Sequence, residues 1–112
     1  MDINEMLKVQ VETFQSDRAQ NVELLVAEAH EAETREEKIA ALREAIKAQT
    51  AVVNATWNYD VDRRDVGGPT PLYVFVKAVR TAIRDELNVL LGKGQGEAAK
   101  VLRARFDSII GQ

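Results

Sequence analysis

Apolar positions in the first third of the chain, Ile3, Leu7, Val11, Phe14, Val22, Leu25, Ala29 and Ala32, recur at spacings of three, four or eight. That is the repeat of one face of an α-helix. Asp2-Ile3-Asn4-Glu5 ahead of it has the spacing of a capping box, in which Asp2 receives free N–H groups of the first turn and Glu5 returns a bond. The stripe keeps its phase through the polar patch from Gln15 to Asn21, which predicts one helix over residues 3–32 with Arg18 lying on the stripe by its aliphatic stem. Ser16-Asp17 offers an alternative, as the cap of a separate helix.

The pattern lapses again from His30 to Lys38, and Thr34-Arg35-Glu36-Glu37 is another capping box by spacing. A boundary is expected at Glu33-Thr34, followed by a helix over residues 35–57. An unbroken helix over 3–57 would be about 82 Å long, whereas a compact domain of this size has a radius of gyration of about 13 Å. Continuity would therefore require a rod shared between chains, and Ile39, Leu42, Ile46, Val53 and Trp57 do nearly keep the phase set by Ile3, as a coiled coil would. Segment 35–57 has two apolar faces. Those large residues form one, and Ala41, Ala45, Ala48, Val52 and Ala55 form a small-residue face on roughly the opposite side, which predicts neighbours on both sides.

Asn58 to Pro71, with Gly67-Gly68-Pro69, is the main connection. Thr70-Pro71 suits the N-cap and first position of a new helix over 71–91. Leu72-Tyr73-Val74-Phe75-Val76 has strand-like composition, but Leu72, Val76, Val79, Ile83, Leu87 and Leu90 continue one helical stripe past it. Being apolar all round its first turns, this segment is expected to be the most buried. Gly92 suits a helix stop. A last helix over 97–110 sets Ala98, Val101, Leu102, Phe106 and Ile109 on one face. The expected fold is all-α: one domain over 1–112, a three- or four-helix antiparallel bundle with a long helical N-terminal half, oligomeric through its long amphipathic helices.

Composition supports this reading, since the first 66 residues contain no glycine and no proline. With no cysteine and one histidine, disulfides, thiolate catalysis and multi-histidine metal sites lack their groups. No basic leader opens the chain and no apolar run reaches the length of a membrane span, so a cytoplasmic protein without a membrane partner is expected. The formal charge of −3 divides unevenly. Residues 1–57 carry six Lys/Arg against eleven Asp/Glu (6 − 11 = −5), and residues 58–112 carry nine against seven (9 − 7 = +2). Such a division suits helices that pack acidic against basic, within a chain or between copies, and argues against a nucleic-acid surface.

Lys77, Arg80 and Arg84 form a basic ridge beside the apolar stripe of the helix after Pro71, and Arg63 and Arg64 stand in the preceding loop. Trp57 and Tyr59 lie just before that loop, and aromatics beside arginines hold nucleotides or serve as protein hot spots. These seven residues are the candidate ligand- or partner-binding group. No catalytic residue, metal ligand or cofactor is expected. Gly92-Lys93-Gly94-Gln95-Gly96 has the look of a phosphate cradle but follows a helix with the wrong spacing, which makes it a helix–helix turn. His30 is followed by Glu31-Ala32-Glu33-Thr34, which lacks the lysine and glycine of a histidine-phosphotransfer motif, and reads as a solvated surface histidine.

Glu33-x-x-Glu36 and Asp62-x-x-Asp65 resemble the paired carboxylates with which all-α nucleoside triphosphate pyrophosphohydrolases hold magnesium. The second pair departs from that pattern, because it lies in a loop interleaved with Arg63 and Arg64 rather than inside an apolar helix. The leading expectation is a non-enzymatic interaction or assembly protein, of the kind found among small bacterial or phage accessory proteins, with a homo-oligomer or a helical protein as partner. A small helical protein binding an anionic small molecule or nucleotide between helices is the alternative, and metal-dependent nucleotide hydrolysis a weaker one.

Overall fold

The computed structural model describes residues 1–61 and 70–92, with side chains given for 1–57 and 70–92. Four helices pack against one another: α1 (Ile3–Phe14), α2 (Asp17–Glu31), α3 (Arg35–Val61) and α4 (Pro71–Leu90). The described residues contain no strand, so Leu72 to Val76 is helix as the longer stripe requires. The expected last helix over 97–110 lies outside the described residues.

The N-terminal half is folded, not a rod. At Glu33-Thr34 the expected boundary is present: the Glu37 amide donates to Thr34 Oγ1 at 3.1 Å, capping α3, while α2 ends at Glu31. The single helix over 3–32 is corrected to two. Gln15 takes a left-handed conformation, φ 49°, and Ser16 caps α2 by accepting from the Ala19 amide at 3.2 Å. A preserved stripe could not reveal this, because a tight reversal re-aims the second helix and its phase relative to the first then carries no information. Ala19 takes the buried position of the first α2 turn, and Arg18 is exposed rather than lying along the core stripe.

Contacts along the helices give their directions. Lys38 Nζ donates to the carbonyls of Ala29 and His30, so α2 and α3 are antiparallel. Arg35 Nε donates to the Leu90 carbonyl at one end of α3 and the Trp57 ring meets Tyr73 at the other, so α3 and α4 are antiparallel too. With α1 packed on α2 and α4, the result is an up-down-up-down bundle. The neighbours expected on both sides of α3 are α2 and α4.

The core is Leu7 from α1, Val22, Val26 and Ala29 from α2, Ala41, Leu42, Ala45, Val52 and Val53 from α3, and Val76, Val79, Ile83 and Leu87 from α4. Along α4 the buried residues are those of the expected stripe, while the first turns are not the most buried segment: Val74 is 52% exposed. Helix α4 starts at Thr70, whose hydroxyl accepts from the Tyr73 amide at 3.2 Å, and stops at Gly92, φ 74°, a conformation that costs glycine little.

Among the described residues three buried side chains of the core are polar: Gln10, Gln49 and Thr56. Gln10 Nε2 donates to Gln49 Oε1 at 2.8 Å, and Gln49 Nε2 donates to Gln10 Oε1 at 2.7 Å and to the Val76 carbonyl at 2.9 Å. A reciprocal amide pair thereby ties α1 across the core to α3, with the second N–H of Gln49 tied to α4. Gln49 and Thr56 fall on the sector of α3 that lies between the large-residue and small-residue faces, so both faces border one continuous buried sector. Thr56 spends its hydroxyl on the Val52 carbonyl at 2.8 Å, within its own helix.

Candidate functional site

The candidate group is only partly assembled by the described residues. Trp57, near the end of α3, lies with its ring centroid 4.9 Å from that of Tyr73 in the first turn of α4, planes inclined at 53°. This tilted arrangement is within the favourable range for aromatic pairs. Lys77 Nζ stands 5.3 Å from the centroid of the Tyr73 ring, close enough for cation–π attraction. Trp57 remains 37% exposed, so the pair closes the α3–α4 interface and still presents aromatic surface to solvent.

Tyr73 was not among the candidate residues, although its spacing could have placed it there. Tyr73, Lys77, Arg80 and Arg84 follow at i, i+4, i+7 and i+11, one continuous row on α4. Arg80 is half-buried, and Lys77 and Arg84 are exposed. The ridge is thus a row of three cations that opens with an aromatic residue buttressed from α3. Tyr59 lies in the last turn of α3, its side chain outside the described residues, and Arg63 and Arg64 lie outside them altogether.

On the other side of α3, α2 carries the opposite sign. Glu28, Glu31 and Glu37 border a groove of about 490 Å³ lined also by Leu24, Ala27 and Ala32, and Leu24 is 66% exposed. The charges of the two helices are scarcely neutralised within the chain. Among the described residues only two contacts join groups of possible opposite charge, the ion pair of Lys47 with Glu44 one turn away on α3, and the hydrogen bond between His30 Nε2 and Glu86 Oε1 at 2.7 Å. The second corrects the reading of His30 as merely solvated: it links α2 to α4 at the end of the bundle, while Glu86 Oε2 is buried with no hydrogen-bond partner among the described residues.

Glu33 and Glu36 are exposed at the α2–α3 turn, and the acidic pair Asp62 and Asp65 that would complete a magnesium site lies outside the described residues. Among the described residues no group of three or more His, Asp or Glu is placed to hold a metal ion, and no helix is long and apolar enough to cross a membrane. No protein-family model, curated protein or solved structure matches the chain.

Proposed function

We propose that this protein is a non-enzymatic assembly module in which the acidic outer face of α2 on one copy docks on the basic ridge of α4 on the next. The observation that carries the reading is the unspent charge. Helix α2 presents Glu28 and Glu31 around the exposed Leu24, α4 presents Lys77 one turn from the exposed Val74 and Arg84 two turns beyond Lys77, and none of these four charges has an ion-pair partner among the described residues. An interface needs apolar contact for affinity and charge for register and steering, and both surfaces supply both. Because the two surfaces lie on opposite sides of α3, both cannot meet the same partner copy, so the contact is heterologous and repeated copies form a ring or an open chain rather than a closed two-fold dimer.

The test is a mixing experiment. Glu28→Lys with Glu31→Lys on one sample and Lys77→Glu with Arg84→Glu on another are each expected to stay monomeric where the wild type associates. Mixed, they restore association with the two variants alternating in equal numbers, since the reversed α2 face of the first matches the reversed ridge of the second and the native ridge of the first matches the native α2 face of the second. Association of either variant alone at the wild-type level contradicts the reading.

The alternative, an anionic small molecule or nucleotide held at the α4 ridge, is favoured by one observation, the half-exposed aromatic pair of Trp57 and Tyr73 beside Lys77. A nucleotide stacking there would quench the fluorescence of Trp57, the chain's one tryptophan. No quenching with any nucleotide would remove that alternative.

A further inference from the structure

At the end of the bundle where α2 and α4 both begin, a pocket of about 420 Å³ opens beside the α1–α2 turn. Its walls are Phe14 from α1, Val52 and Ala55 from α3 and Leu72 from α4, and Thr13, Ser16 and Thr56 contribute hydroxyls. Two of those hydroxyls are committed, Ser16 to the Ala19 amide and Thr56 to the Val52 carbonyl. Among the described residues Arg18 is the one charged residue of the lining, and it has no ion-pair partner among them. The volume is in the range of about 300–1,000 Å³ typical of small-molecule sites.

We infer that this pocket binds a small amphipathic anion, an apolar body of a few carbons bearing one carboxylate or sulfonate. The apolar walls take the body, and Arg18 pairs with the head at the mouth, where a guanidinium can hold a carboxylate by two parallel hydrogen bonds. The sign of the ligand follows from the lining. Among the described residues no carboxylate lines the pocket, so a cationic head meets no partner among them and meets Arg18 in opposition. The N-termini of α2 and α4, capped at Ser16 and Thr70, lie at this same end and add partial positive charge. The site is separate from the α4 ridge and from the acidic face of α2, sharing no residue with either.

The probe is octanoate, titrated calorimetrically and by amide chemical shifts, against octan-1-ol and octylamine. Saturable binding of octanoate is expected, with shifts centred on residues 13–18, 52–56 and 72, weaker binding of the alcohol and none of the amine. Arg18→Ala is expected to weaken octanoate about tenfold and leave octan-1-ol unchanged. Thr13→Trp, made at an exposed position that leaves the core intact, closes the mouth and abolishes both. Absence of saturable octanoate binding, equal affinity in Arg18→Ala, or undiminished binding in Thr13→Trp overturns the inference. So does binding to phosphatidylglycerol vesicles without binding of free octanoate, because the assigned ligand is a soluble anion.

Discussion

Replacing Gln49 by methionine is the sharpest perturbation of the core. Methionine is unbranched, close to glutamine in volume and adaptable in packing, so the change is mainly chemical. It removes three hydrogen bonds: the reciprocal pair with Gln10 and the donation to the Val76 carbonyl. Val76 keeps the bond to its carbonyl from within α4, but Gln10, fully buried, is left with both its amide oxygen and its amide nitrogen unpaired. A buried polar group without a partner costs about 1–3 kcal/mol, so Gln49→Met should destabilise by about 2–5 kcal/mol. Gln10→Met should cost less, about 1–3 kcal/mol, because Gln49 then loses the partners of its oxygen and of one N–H while retaining Val76.

The double variant carries the decisive sign. With both amides gone nothing is left unpaired, and its stability should return to within about 1 kcal/mol of wild type. The assay is urea unfolding followed both by far-UV circular dichroism and by Trp57 fluorescence, whose agreement checks that the transition is two-state. A double variant as unstable as the sum of the singles would refute the reasoning, since it would mean that the pair contributes through packing rather than by mutual satisfaction.

Two further outcomes follow from backbone and packing. Gln15→Gly should raise stability by about 0.5–1 kcal/mol in the same assay, because Gln15 holds a left-handed φ of 49° that glycine adopts without a Cβ clash; a loss of stability would contradict it. Ala45, fully buried on the small-residue face of α3, lets a neighbouring helix approach closely, so Ala45→Leu should cost about 1–3 kcal/mol through overpacking and lower the melting temperature by several degrees.

Much of the architecture was legible because it rests on short-range chemistry. The side chains of Asp2, Thr34 and Thr70 each accept the amide that their cap spacing implies, without the return bond from Glu5 or Glu37 that a full capping box would add at the first two, and Gly92 stops α4 as its position suggests. The α1–α2 reversal was only half-marked: Ser16 offered a cap, but the turn itself uses Gln15 in a conformation usually given to glycine or asparagine, so no glycine contradicted the continuous stripe. The end of α3 was set four residues early, since Asn58 and Asp60 favour turns but cost a helix only about 0.7 kcal/mol each, too little to end it. Gln10 and Gln49 escaped notice because glutamine is read as surface in a helical pattern, although both lie at stripe spacing between apolar residues.

The ridge was legible as a charge pattern, with Lys77, Arg80 and Arg84 on one row. Its aromatic end was not, because Tyr73 sat inside an apolar run and only the packing of α3 on α4 brings Trp57 to it. The pocket at Arg18 had no signal in the chain at all. It is made by residues of four helices meeting at a turn that periodicity had smoothed over.

Sedimentation velocity of the intact protein, over a range of concentrations at low and at high salt, tests the central claim most directly. The account predicts association that strengthens with concentration at low salt, weakens at high salt as the α2–α4 charges are screened, and is lost in Leu24→Asp without loss of helical content. A compact monomer at every concentration and at low salt would contradict it.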